Sequence, residues 1–188
     1  MGEANKLPFS LFTTGHLRPR DQFDAWHESI SVIFDVDPPV GHRPDSGFAA
    51  TVRGWHLGGL LISAVDFDSQ RFVRDRHKTV ADGLDHYLVQ LYATGGLIGE
   101  AGDQGRVLNG GDVQILDLTR SNVTQAAPSG TVAIVVPREA LDQALPAPGN
   151  LHGLILRGRS GMGGLLGDYM RSLVARAEGM TMAEAPLG

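Results

Sequence analysis

Gly105 to Arg120, GRVLNGGDVQILDLTR, is the stretch whose reading decides the fold of this chain. In Asn109-Gly110-Gly111-Asp112 the glycines can take the positive φ of a tight β connection, and the Asp112 carboxylate can accept from nearby backbone amides, so a hairpin corner is expected. From Val113 onward the residues alternate. Val113, Ile115 and Asp117 fall on one face, and Gln114, Leu116 and Leu118 on the other. Two faces that are both partly apolar suit a strand buried on one side and partly enclosed on the other, as in a barrel wall.

Outward from this strand the same rhythm recurs. Before it, Phe48–Leu57 and Leu60–Val65 alternate around a Gly58-Gly59 hairpin signal, Arg71–Arg74 forms a short strand, and His86–Tyr92 alternates cleanly. Gly95-Gly96 and Gly102–Gly105 bracket another hairpin. After it come Ser121–Ala127, a turn at Pro128-Ser129-Gly130, and the β-branched run Thr131–Val136. Phe23, Trp26 and Ile30 recur at helical spacing behind Pro19, which predicts an amphipathic helix with Trp26 as its anchor on the sheet. Asp35–Gly47, with three prolines and two glycines, reads as a loop, and Asp75–Asp85 fits either a loop or a short helix. The last third turns helical: Arg138–Leu145, closed by Pro146, then Leu151–Arg157 as an irregular or strand-like piece, then about Gly163–Glu178.

Many short strands with one helix before them and two after them predict a mostly β, antiparallel β-barrel or jelly roll. Residues 1–17 read as an extended arm, 18–178 as one domain, and 179–188 as the start of a linker. The 188 residues suffice for one core but not for two. With 42% hydrophobic and 20% charged residues, the composition is that of an ordinary globular chain. No apolar run approaches the ~20 residues of a membrane span and the N-terminus lacks a secretory core, so a cytoplasmic setting without a membrane partner is expected. Absence of cysteine excludes disulfides, thiol nucleophiles and thiolate metal sites. A net charge of -5 offers no general footprint for nucleic acid.

The motifs of common chemistry are missing. The nearest approach to G-x-S-x-G is GRSGM at 158–162, where Met162 stands in place of the last glycine. No P-loop or G-x-G-x-x-G occurs, and the glycines of 161–167 instead shape a helix entry. No His-x-His is present. His77 and His86 could converge with Asp82 or Asp85 on a metal, but lone histidines at strand ends are commonly surface residues. No cofactor is expected. One strand face carries His86, Gln90 and Tyr92, and Gln114 lies on a neighbouring strand. If that face points inward, these few polar groups among aliphatics form a small-molecule pocket; if outward, they are solvent residues. Trp55 and His56 share the ambiguity. On the last helix Leu166, Met170 and Leu173 form a stripe that suits a dimer interface or a helix closing its own sheet equally well.

Taken together, RFVR (71–74), DHYLVQL (85–91), the GRVLNGGDVQILDLTR block, the VPREAL step (136–141) and the FDAW helix (23–26) resemble the N-terminal, cupin-like sensor domain of AraC/XylS-type transcriptional regulators. The likeness spans about Leu17 to Ala177. It implies a domain that binds a small-molecule effector and forms a homodimer, without catalysis. It also implies that promoter DNA is contacted only by a C-terminal helix-turn-helix domain outside this sequence. No site residue is carried across, since effector contacts differ widely within that family. Two other functions remain open at this point: a cupin-type metalloenzyme using the scattered histidines, and a solidly packed protein-interaction barrel.

Overall fold

A computed structural model describes residues 5–101, 104–145 and 149–185. Twelve strands alternate with four α-helices and one short 3-10 turn. In chain order they are β1 (Phe9–Thr13), α1 (Pro19–Ile30), β2 (Asp35–Asp37), the 3-10 turn Pro44–Ser46, β3 (Ala50–Leu57), β4 (Leu60–Phe67), β5 (Gln70–Arg74), α2 (Arg76–Ala81), β6 (His86–Thr94), β7 (Gly96–Ala101), β8 (Gln104–Asn109), β9 (Val113–Asp117), β10 (Asn122–Ala126), β11 (Ser129–Pro137), α3 (Arg138–Ala144), β12 (Leu154–Leu156) and α4 (Gly161–Ala177). The expected turn residues Gly102 and Asp103 and the helix-closing Pro146 lie outside the described residues.

The strands form two antiparallel sheets, a larger one ordered β1-β3-β4-β11-β6-β9-β12 and a smaller one ordered β2-β5-β10-β7-β8. The fold is thus mostly β and antiparallel as expected, but as a jelly-roll sandwich of two sheets rather than a closed barrel. Two apolar layers hold it together. Between the sheets pack Phe67, Phe72, Leu88, Leu97, Leu108, Leu116 and Leu118. On the far side of the larger sheet, Trp55, Ile62, Val89, Leu91, Val113 and Ile134 meet Met170 and Ala177 of α4. Strands β6, β9 and β11 are therefore covered on both faces, which is why each carries apolar residues on both of its faces.

The Asn109–Asp112 turn differs from expectation in what it joins. It takes the chain from β8 in the smaller sheet to β9 in the larger one, so it is a corner between sheets and not a hairpin. Gly111 supplies the positive φ, 95°, that the corner needs. The Asp112 carboxylate accepts the Asn109 amide at 3.1 Å, the Gly158 amide at 2.9 Å and an Arg157 guanidinium N–H at 2.8 Å. These bonds seat the approach to α4 directly on the corner. A Cβ at Gly158 would lie 2.4 Å from the Gly111 carbonyl oxygen, so only glycine permits that approach.

Three further segments lack a clear sequence period. Residues of the expected arm join the domain, since β1 pairs along β3 and the Leu7 amide donates to the Met180 carbonyl at 3.3 Å. The expected linker is likewise drawn in as far as it is described, with Lys6 bridging Thr181. The expected loop at 35–47 contains β2, which pairs with β5. In each case pairing with a distant strand creates the order, and local pattern carries no trace of it. The ambiguous segment at 75–85 holds helix α2, with the Asp75 carboxylate capping the Lys78 amide at 2.8 Å.

Met170 is fully buried under α4. Truncating it to alanine leaves a void between helix and sheet, and a loss of about 2–5 kcal/mol in urea-unfolding stability is expected.

Candidate ligand cavity

The larger sheet does not fill the space on its inner side. A cavity of about 260 Å³ lies there, floored by residues of β3, β4, β6 and β11 and roofed by the inner face of α1 and the residues following it. The floor contributes Val52, Gly54, Leu61, Ser63, Val65, Leu88, Gln90, Thr131 and Ala133; the roof contributes Trp26, Ser29, Ile30, Ile33 and Phe34. Among the described residues the lining carries no histidine, carboxylate, lysine or arginine. Its polar groups are a few hydroxyls and the Gln90 amide, which suits a site that holds an apolar body and orients it by a small number of hydrogen bonds.

The roof is fixed by Trp26. Its indole N–H donates to Gln70 Oε1 at 2.6 Å, and both residues have no exposed surface. The ring stacks near Phe48 and Phe67, with centroids 6.3 and 6.4 Å away. Gln22, one turn earlier, accepts the Phe48 amide at 2.7 Å and donates to the Leu17 carbonyl at 3.2 Å. Behind the roof, Arg74 donates to the carbonyls of Leu118 and Ile33, each at 2.7 Å, and pairs with Asp82, whose carboxyl is held below its usual range chiefly by that bond.

Past Phe34 and Phe72 the interior turns polar. Gln114 of β9 donates to Gln90 Oε1 at 2.7 Å and accepts from Arg106 at 2.9 Å. Arg106 also donates to the Asn122 side-chain oxygen. Burial lowers the Arg106 guanidinium to about 10 and pushes the neighbouring Tyr92 hydroxyl up. Arg106 escaped the sequence reading, although a signal was available: it shares strand parity with Leu108, which is buried, while Val107 between them is exposed.

The residues singled out from sequence separate into groups. Gln90 lines the cavity, and Tyr92 and Gln114 border a small adjoining void. Trp55 lies on the opposite face of the sheet, buried in the layer under α4 and in contact with Phe9, so its ring points away from the cavity. His56 is exposed. His86, at the start of β6, is half-buried with an Nδ1 that has no hydrogen-bond partner among the described residues, and it does not line the cavity. The geometry does not gather His77 and His86 with their proposed acids. His77 is exposed on α2, Asp82 is engaged by Arg74, and Asp85 by Arg138. Among the described residues no three His, Asp or Glu side chains cluster closely enough to share a metal ion. The Leu166, Met170 and Leu173 stripe is the face by which α4 packs on its own sheet, so the dimer surface expected there is occupied within the chain. The helix instead exposes Met162, Leu165 and Tyr169. Sequence reasoning also missed the α1 roof beyond Trp26 and the hydroxyls of Ser63 and Thr131, which only the closure of α1 over the sheet brings together.

A two-sheet antiparallel sandwich enclosing a largely apolar cavity is the architecture of a cupin-like, small-molecule-binding domain. The sequence matches the family model of the AraC-binding-like domain over residues 26–187, and the chain belongs to that family. Its fold is similar to that in the crystal structure of the AraC-like transcriptional activator CuxR, with a TM-score of 0.85 and 24% identity. The superposition covers 95% of this chain and 65% of CuxR, so the chain spans a little under two thirds of that protein's length. Slighter likenesses are to a putative mannose-6-phosphate isomerase from Ralstonia eutropha (16% identity, TM-score 0.38, covering 54% of this chain and 92% of that one) and to KdgF from Halomonas sp. (19% identity, TM-score 0.35, covering 59% and 91%). No curated protein matches the sequence. No helix among the described residues is long and apolar enough to cross a membrane.

His152 locks the end of β9 in one protonation state. Its Nδ1 accepts the Asp117 amide at 3.2 Å and its Nε2 faces the Ser121 carbonyl at 3.1 Å, a pair that only the neutral, Nε2-protonated ring satisfies. Burial, with Arg120 and Arg106 adding to it, lowers its pKa below the ordinary 6.5. The unfolded chain therefore binds a proton that the folded chain refuses, and stability falls as pH drops below 6.5. The urea midpoint followed from neutral to mildly acid pH is expected to fall less steeply in His152→Gln than in the wild type.

Proposed function

We propose that this chain senses a small-molecule effector in the cavity between α1 and the larger sheet, and that it acts in the cytoplasm as the regulatory, homodimerising unit of an AraC-type regulator. DNA contact belongs on this reading to a separate helix-turn-helix domain, in keeping with the acidic balance of these residues. The observation that carries the proposal is the cavity itself: about 260 Å³, roofed by a helix, and lined almost wholly by apolar side chains with Gln90 at one end.

Catalysis is no part of this reading; the polar groups of the described lining are serine and threonine hydroxyls and the Gln90 amide. Signalling is a shift between conformations with unequal affinity for the effector. Strand β11 provides the physical link. Ala133 faces the cavity, while Val132 and Ile134 on either side of it face α4, so occupancy on one face alters the packing of the helix on the other. On α4 the exposed Met162, Leu165 and Tyr169 are the apolar residues free to meet a second copy.

A thermal-shift screen of small apolar molecules tests the sensor. A ligand at ~100 times its dissociation constant is expected to stabilise the chain by about 2.7 kcal/mol. Ala133→Phe, which fills the cavity from the central strand, is expected to abolish that gain while the variant remains folded. For the dimer, analytical ultracentrifugation of a Leu165→Asp, Tyr169→Asp double variant is expected to give monomer where the wild type gives dimer, with unfolding stability unchanged to within about 0.5 kcal/mol per site.

A further inference from the structure

Arg106 is 5% exposed, yet no carboxylate faces it among the described residues. Its partners are two neutral amide oxygens, those of Gln114 and Asn122, and its Nε has no partner among the described residues. The chain's other deeply buried guanidinium, Arg74, is paired with Asp82 at 2.6 Å. The acids flanking β9 are likewise spoken for, Asp112 by Arg157 and Asp117 by Arg138. A buried cation left without a counter-charge is destabilising, and its retention calls for an anion that the described residues do not supply.

The hydrogen-bond chain tells where that anion sits. A guanidinium only donates, so Gln114 must turn its oxygen to Arg106 and its amide nitrogen toward Gln90. Gln114 Nε2 donates to Gln90 Oε1 at 2.7 Å, which occupies the Gln90 oxygen. What Gln90 has left for the cavity is its amide N–H group, which donates to no protein atom among the described residues. The polarity therefore runs one way, from a buried positive charge through two aligned amides to a donor on the wall of an apolar chamber.

We propose that the effector is an amphiphilic carboxylate: an apolar body occupying the chamber beneath α1, with its anionic head docked on the Gln90 amide and balanced by Arg106 behind Gln114. A cavity of ~150 Å³ accepts benzene, so about 260 Å³ admits a body of roughly ten non-hydrogen atoms, the size of octanoate. Even lowered to about 10, the Arg106 guanidinium stays charged at neutral pH.

This proposal rests on the effector-sensing reading above, and calorimetric titration of the 188-residue chain at neutral pH with octanoate, 1-octanol and octylamine separates the two. Octanoate is expected to bind at least tenfold more tightly than 1-octanol, and octylamine more weakly than either. Gln90→Leu, which leaves the buried charge untouched, and Arg106→Met, which removes it, are each expected to abolish the preference for octanoate over 1-octanol. If 1-octanol binds as well as octanoate to the wild type, or if the preference persists in both variants, the head-group assignment is overturned while the cavity reading stands. If none of the three binds while another compound of the thermal-shift screen does, the head-group assignment is overturned and the cavity reading stands; if nothing in that screen binds, both fall.

Discussion

The hydrogen bond from Trp26 to Gln70 is the constraint on which the functional architecture depends. It joins two side chains without exposed surface across the gap between α1 and the edge of β5. An indole N–H taken out of water must find a partner, and Gln70 is the acceptor that lets the largest side chain of α1 sit inside the sandwich. With Trp26 seated against Phe48 and Phe67, the helix lies across the open side of the larger sheet instead of packing flat on it. The space left beneath is the cavity.

The larger sheet is a shared wall between two environments. Its inner face meets the chamber and the smaller sheet, and its outer face meets α4. Because neighbouring residues of a strand point to opposite faces, β11 reports on both sides at once: Ala133 inward, Val132 and Ile134 outward. A sensor needs such an element, since a ligand influences a distant surface only through parts whose packing it changes. The corner at Asp112 makes the same connection at the other end of α4, where one carboxylate holds the turn into β9, Arg157 and the Gly158 amide together.

Charge is handled in two contrasting ways inside the fold. Arg74 and Arg138 are matched by acids and brace α2 and α3 against the strand ends. Arg106 is matched by amides only and stands beside the one polar passage leading to the chamber. Among the described residues Arg74 and Arg138 have counter-ions, and Arg106, next to the site, has none.

Much of the fold was legible from periodicity. The alternation in 48–57, 60–65, 86–92 and 113–118 located the central strands, and Phe23, Trp26 and Ile30 located α1, because pleat and helix repeat are local properties of the chain. The likeness of ordered blocks such as GDVQILD and VPREAL pointed to the family. Alternation has no sense of inside and outside, however. It placed Gln90 and Trp55 on equal terms, although one lines the chamber and the other lies beneath α4, and it left Leu166, Met170 and Leu173 undecided between a partner and the chain's own sheet. β1 and β2 were invisible because their order comes from partners more than thirty residues away. What the sequence by itself determined was the set of strands, the helices and the supply of polar residues among them. Which of those residues meet in one chamber was decided by tertiary structure, since burial belongs to a pair of surfaces and a strand cannot know which of its faces another element will cover.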